Sequence, residues 1–179
     1  MKNIYFKIFS TPKPVIPMKS FVCNDNVAVI GKHLEEKVKK IFRGSLSIRE
    51  VDTGSDAACE QELTALSNAY YDIERFGIHF VASPRHADML MVTGAVSRNM
   101  KEALIRTYEA TPTPKIVVAV GDDAIDGGIF KGNYAVLDGV DKVIPVDFQI
   151  PGDPPSPKTI LCHLLKILEE IEVVRSKNN

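Results

Sequence analysis

Residues 89–120 read MLMVTGAVSRNMKEALIRTYEATPTPKIVVAV, and the reading of this stretch decides the fold. Its two ends, Met89–Thr93 and Ile116–Val120, are short runs apolar almost throughout, as strands covered on both faces should be. Between them Met100, Ala103, Leu104 and Tyr108 fall on one face of a helix. A buried strand, a helix and a second buried strand make a parallel crossover unit. Strand-like runs also occupy residues 46–51, 78–82 and 142–146, and Leu63, Leu66, Tyr70 and Ile73 give a helical face between the first two. The last helix opens with Ser156 as N-cap and Pro157 at its first position, then runs through Ile160, Leu164, Ile167 and Ile171. This alternation predicts an α/β fold with a doubly wound, mainly parallel sheet and helices on both faces.

Residues 1–44 follow another pattern. Pro12, Pro14 and Pro17 lie among scattered aromatics, which predicts an extended arm rather than a packed element. Ile30, Leu34, Val38 and Ile41 then recur at helical spacing, with Lys32, Lys37, Lys39, Lys40 and Arg43 between them. That helix reads either as a surface helix with a solvated basic face or as a docking element for a partner or an acidic membrane surface. The expected organisation is an arm and basic helix over 1–44, one domain over 45–174 and a polar tail over 175–179.

Composition narrows the function classes. A net charge of −1 argues against a general nucleic-acid binder. Cys23, Cys59 and Cys162 are too few and scattered for a disulfide framework, which predicts a reducing compartment. No apolar run approaches the ~20 residues that cross a bilayer, and no secretory signal opens the chain, so a soluble protein is expected. His33, His79, His86 and His163 show no metal-ligand spacing, and Gly127-Gly128 belongs to no phosphate-loop pattern. Cys162 falls in the apolar pattern of the last helix, where a small buried hydrophobe is the expected role.

Three loops at predicted strand ends differ from ordinary connectors. Residues 52–62 read Asp-Thr-Gly-Ser-Asp-Ala-Ala-Cys-Glu-Gln-Glu, residues 121–128 Gly-Asp-Asp-Ala-Ile-Asp-Gly-Gly, and residues 151–155 Pro-Gly-Asp-Pro-Pro. Any one of them alone is a turn built from glycine and aspartate. All three together, where ligands bind in open α/β sheets, call for more than turn-making.

The set resembles the small subunits of energy-converting, membrane-bound [NiFe] hydrogenases and formate hydrogenlyase, and more distantly the B subunit of respiratory complex I. There the loops read Asp-x-Gly-Ser-Cys-Asn-Gly-Cys-Glu, Gly-Asp-Cys-Ala-x-x-Gly-Gly and Pro-Gly-Cys-Pro-Pro. Residues 83–88, Ser-Pro-Arg-His-Ala-Asp, and residues 143–147, Val-Ile-Pro-Val-Asp, resemble two further family motifs. The resemblance spans about Leu46 to Leu168 and implies a flavodoxin-like domain.

The departure carries as much information as the match. The family's four cysteine ligands of a [4Fe–4S] cluster fall on Asp56, Cys59, Asp123 and Asp153, and only Cys59 keeps its thiol. The family's Asn-Gly between the first two ligands is replaced by Ala57-Ala58. Three carboxylates and one thiol form a hard-oxygen set suited to Mg2+ or Ca2+ rather than to iron and sulfide. The resemblance therefore implies a lost cluster, no cofactor, and at most a hard cation at Asp56, Asp123 and Asp153. Drift would scatter among Ser, Ala and Gly, so three changes to aspartate point to selection for carboxylates or to engineering. Glu62 matches a family glutamate close to the cluster, with a first-turn helix acid as the plain alternative. Arg85 matches a family arginine near the cluster and the large-subunit interface, against an isolated surface arginine. Carboxylates converging here would disfavour joint ionisation unless relieved by a cation, by Arg85 or Arg98, or by open hydration.

Three functional classes remain. The leading one is a non-catalytic subunit of a membrane-associated hydrogenase- or complex I-like oxidoreductase complex, without a catalytic centre of its own. It would dock on a hydrogenase-like large subunit, alongside ferredoxin-like and membrane subunits, at the cytoplasmic face of the cell membrane. It would touch the membrane only through those partners and would bind no nucleic acid. The second class is a working electron-transfer subunit whose cluster survives on unusual ligands. The third is a stand-alone domain with a converted cation site.

Overall fold

A computed structural model describes residues 16–17 and 26–177. In chain order these form β1 (Ile16–Pro17), α1 (Val27–Phe42), β2 (Leu46–Asp52), α2 (Ala58–Ala65), β3 (Ile78–Phe80), β4 (Met89–Thr93), α3 (Lys101–Ala110), β5 (Ile116–Val120), α4 (Asp122–Asp126), β6 (Phe148–Ile150) and α5 (Pro157–Lys177). The sheet has the order β1-β6-β5-β4-β2-β3, and every pairing in it is parallel. β2 lies one strand in from an edge, β3 takes that edge, and the chain returns across β2 to build outward through β4, β5 and β6. That is the flavodoxin-like doubly wound arrangement, whose switch point lies between β2 and β4.

Strand alternation divides the core in two. Met89 and Met91 face one layer with Ile48 and Val118, against Leu34 and Val38 of α1 and Leu164 and Ile167 of α5. Leu90 and Val92 face the other, with Leu104 of α3, Ala124 of α4 and the loop residues Val140, Ile144 and Val146. All residues of β4 are buried, which accounts for its continuous apolar run.

α1 is part of this core rather than an appendage, since Ile30, Leu34 and Val38 are at most 1% exposed. Its basic face is partly answered within the chain: Lys37 Nζ donates to Glu172 Oε2 of α5 at 2.5 Å, Lys40 donates to Glu172 Oε1, and Lys39 pairs with Glu35. α5 starts as its sequence predicts, with the Ser156 hydroxyl accepting from Thr159 N at 3.3 Å.

Three expectations are corrected. The run at 142–146 is a 3-10 turn and a bend, and the strand is Phe148–Ile150. Ile144 and Val146 are apolar because they fill the second core layer under a loop, while Pro145 has no N–H to offer a ladder. Tyr70 does not share a helical face with Leu63, because α2 stops at Ala65 and Tyr70 is 67% exposed. Within the proline-rich arm, Ile16–Pro17 pairs with Phe148 and Gln149 instead of standing apart. An edge strand tolerates proline and leaves β6 a row of backbone groups to be met. The rest of the arm, Cys23 included, and the last residues of the tail lie outside the described residues.

Candidate functional site

The three loops leave β2, β5 and β6 at the same carboxyl edge of the parallel sheet, with β4 between the first two strands. After β2, Asp52 Oδ1 accepts from Gly54 N at 2.7 Å and Ser55 N at 2.9 Å, turning the chain tightly. Thr53 is fully buried, and its hydroxyl donates to Thr93 O and Gly94 O, pinning this loop to the end of β4. Ala57 then takes φ 70, and Asp56 Oδ1 accepts from Ala58 N at 2.9 Å at the mouth of α2. Asp56 itself is exposed, whereas Cys59 points inward and is 6% exposed.

The loops after β5 and β6 are joined by Asp122. Its N–H donates to Gly152 O at 2.9 Å, and its Oδ1 accepts from Gly152 N at 2.9 Å. Asp122 is thus the clasp that fixes loop against loop. Gly121, at φ +91, lies where a Cβ would come within 2.5 Å of Cys59 Sγ. The second and first loops therefore touch through a bare Cα and a sulfur, and only glycine permits that approach.

Asp56, Cys59, Asp123 and Asp153 act on one another. The Cys59 thiol is pushed up to about 12 by burial first, then by Glu60, Asp123, Asp56 and Asp153. Asp123 is 7% exposed, and its carboxyl is raised by burial first, then by Asp153 and Asp56, with the Ile129 backbone N–H easing it. Asp123 Oδ1 has no hydrogen-bond partner and lies 1.8 Å from where a Cβ on Gly128 would sit, so Gly128 at φ +48 makes the room it occupies. Asp153 is exposed. Among the described residues, no group of three or more His, Cys, Asp or Glu side chains is placed to hold a metal ion.

Neither arginine expected to relieve this charge does so. Arg98 Nε donates to Tyr134 O at 2.6 Å, and Arg85 is exposed in the 3-10 turn Pro84–His86, which leads into the amino end of β4. Neither pairs with a carboxylate among the described residues. Glu62 sits half-buried on α2. Among the histidines, His163 is buried and its Nδ1 lies 2.8 Å from Thr159 O, and Cys162 is buried in the α1–α5 layer.

Sequence reasoning passed over Glu60 and Glu50. Both carboxylate oxygens of Glu60 are buried without a partner. Glu50 is raised by burial first and then by Glu60, and it lines a cleft of about 280 Å³ with Arg49, Leu63, Thr64, Ser67, Phe80, Val81 and Ala82. A charged residue at the inward register of a buried strand was the available signal, since Glu50 shares the face of Leu46 and Ile48.

Residues 57–167 match the family described as NADH ubiquinone oxidoreductase, 20 Kd subunit. The chain belongs to that family. The B subunit of NADH-quinone oxidoreductase from Bacteroides thetaiotaomicron is 38% identical over 177 residues, covering 91% of this chain and 89% of that protein. Formate hydrogenlyase subunit 7 of Escherichia coli is 41% identical over 138 residues, covering 77% of this chain and 52% of that protein. Among solved structures, a chain of the membrane-bound sulfane sulfur reductase, an archaeal respiratory membrane complex, aligns with TM-score 0.64 at 36% identity, covering 77% of this chain and 74% of that one. No helix among the described residues is long and apolar enough to cross a membrane.

Proposed function

We propose that this chain is a non-catalytic, docking subunit of a membrane-associated hydrogenase- or complex I-like oxidoreductase complex, and that its former cluster site carries no electrons. The family assignment and the relatives drawn from such complexes support the first part. The donor set supports the second. A [4Fe–4S] cluster needs thiolates, whereas here three ligand positions hold carboxylates, and the remaining thiol is kept protonated by burial and by those same carboxylates. The group does not fit these residues. The docking partner in this reading is a large subunit of hydrogenase type, alongside ferredoxin-like and membrane subunits at the cytoplasmic face of the membrane.

The observation that carries the reading is that the three loops stay in contact while three of the four positions the family resemblance assigns to ligands hold aspartate. Gly121 against Cys59 and Asp122 against Gly152 hold the three loops in contact, and Thr53 ties the first loop to the end of β4. A scaffold kept after its metal chemistry has gone is explained by a shape that a partner still needs. Anaerobically purified protein should show no broad visible absorption and negligible iron and acid-labile sulfide. Four irons and four sulfides per chain would refute the reading and restore electron transfer as the function.

A further inference from the structure

Charge is unevenly shared along the chain. Nine of the 22 lysines and arginines lie in residues 1–43, against three of the 23 aspartates and glutamates, so this part carries +6 and residues 44–179 carry −7. A chain close to neutral overall is thus split into two strongly charged parts, as expected of a protein drawn to an anionic surface by one end. Residues 1–15 hold Lys2, Lys7 and Lys13, no acid, and the apolar and aromatic side chains Ile4, Tyr5, Phe6, Ile8 and Phe9.

α1 adds a surface to that composition. Val29, Lys32, Glu36, Lys39 and Arg43 recur every three or four residues, all exposed, on the face opposite the buried Ile30, Leu34 and Val38. Lys32 and Arg43 pair with no carboxylate among the described residues. Lys39 and Lys40 are paired with Glu35 and Glu172, yet their side chains stay 66% and 69% exposed, open to a second anion. Topology brings the basic end of this stripe and the arm to one side. β1 is parallel to β6, so the chain enters it at the amino edge of the sheet, and α1 ends at that edge because Leu46 opens β2 there. The opposite edge bears the exposed Asp52, Asp56, Asp122 and Asp153.

We propose that residues 1–15 and the outer face of α1 together contact a bilayer surface rich in anionic phospholipid. This goes beyond docking on partner subunits, since the chain meets the membrane with residues of its own. Aromatic side chains set among lysines select a lipid surface over an acidic protein or a nucleic acid. Tyrosine and phenylalanine settle at the boundary of headgroups and acyl chains while lysines meet the phosphates, and a soluble polyanion has no apolar layer to receive Phe6 and Phe9. In this orientation the acidic carboxyl edge faces away from the like-charged lipid.

The test is co-sedimentation of the full chain with vesicles of phosphatidylcholine alone and of phosphatidylcholine mixed with phosphatidylglycerol, at low and high salt. Wild type should bind the mixed vesicles, leave the neutral ones unoccupied, and dissociate as salt rises. Partitioning should fall about fivefold for each cation removed, so about 25-fold in Lys2→Gln/Lys7→Gln and in Lys32→Gln/Arg43→Gln. Thermal melts matching wild type check that the second of these is folded. Phe6→Ser/Phe9→Ser should weaken binding at every salt concentration and leave its salt dependence unchanged. Equal binding to both kinds of vesicle, no binding at low salt, or wild-type binding by a folded Lys32→Gln/Arg43→Gln would each overturn the proposal. Wild-type binding by the phenylalanine variant would overturn the choice of lipid over other polyanions. Docking on partner subunits stands in every one of these cases, because none of them measures it.

Discussion

Glu172 and Asp123 are both carboxylates on helices, yet their surroundings push them in opposite directions. Glu172 on α5 takes hydrogen bonds from Lys37 and Lys40 of α1, which hold its carboxyl down at about 2. Asp123 meets burial first and then Asp153 and Asp56, and is raised. The first cluster carries both signs of charge and is complete within the chain. The second carries one sign and is not. Compensated charge at a helix–helix contact belongs to the fold, whereas uncompensated charge at the carboxyl edge of an α/β sheet points to something outside it.

The largest effect expected is a gain of chemistry. The triple variant Asp56→Cys, Asp123→Cys, Asp153→Cys, reconstituted with iron and sulfide, should acquire a brown chromophore and up to about four irons per chain, the count of the family's cluster. Wild type treated identically should acquire none. A colourless triple variant would mean that the loops no longer converge as their mutual charge effects require.

Next comes Gly128→Ala. A Cβ there would meet Asp123 Oδ1 at 1.8 Å, on a backbone at φ +48. Denaturant melts should show a loss of about 1–3 kcal/mol. Part of that loss should vanish in an Asp123→Ala background, where the clash is absent. Strict additivity would show that the carboxylate does not occupy the room that glycine leaves.

Asp123→Asn should act in the opposite sense, raising the melting temperature near neutral pH. Because the folded carboxyl is raised above its ordinary 3.8, the folded state holds its proton more tightly than the unfolded. The ionised form is thus a cost that develops as pH rises from about 3.8 through the folded value and persists above it. A gain of about 2–4 °C corresponds to one kcal/mol in a chain of this size. That gain should disappear below pH 3.8, where both states are protonated. A destabilised variant at pH 7 would show the charge to be compensated after all.

The smallest effect belongs to Glu172→Gln. The folded carboxyl is depressed from 4.5 to about 2, so its stabilisation is present above pH 4.5 and lost as pH falls towards 2. Glu172 and Lys37 are only partly covered and Lys40 is exposed, so the melting temperature should drop only slightly at pH 7, and less at high salt. A large, salt-insensitive drop would show Glu172 to hold α1 on α5 by more than screened charge.

Much of this was legible in the sequence for local reasons. β4 and β5 emerge at the residues where their apolar runs lie, because a strand buried on both faces needs no partner to declare its pattern. Ser156 and Pro157 mark the start of α5 because capping is decided within one turn. The misread run at 142–146 failed for a complementary reason: apolar spacing reports burial, not hydrogen bonding, and a loop under the sheet buries Ile144 and Val146 equally well. Where the resemblance puts Asp56, Cys59, Asp123 and Asp153 was readable, since all four stand inside recognisable loops. Their state was not.

By itself the sequence determined the α/β class and the family, both of which reside in residue identity, spacing and short-range preference. Only the tertiary structure decided that Asp122 clasps one loop to another, that Gly121 bares its Cα to Cys59, and that the basic face of α1 is answered by Glu172. It also decided that Asp123 is buried while Asp56 and Asp153 are exposed. Charge balance is a property of what lies within a few ångströms, and residues some thirty or more positions apart become neighbours only when the sheet brings their loops to one edge.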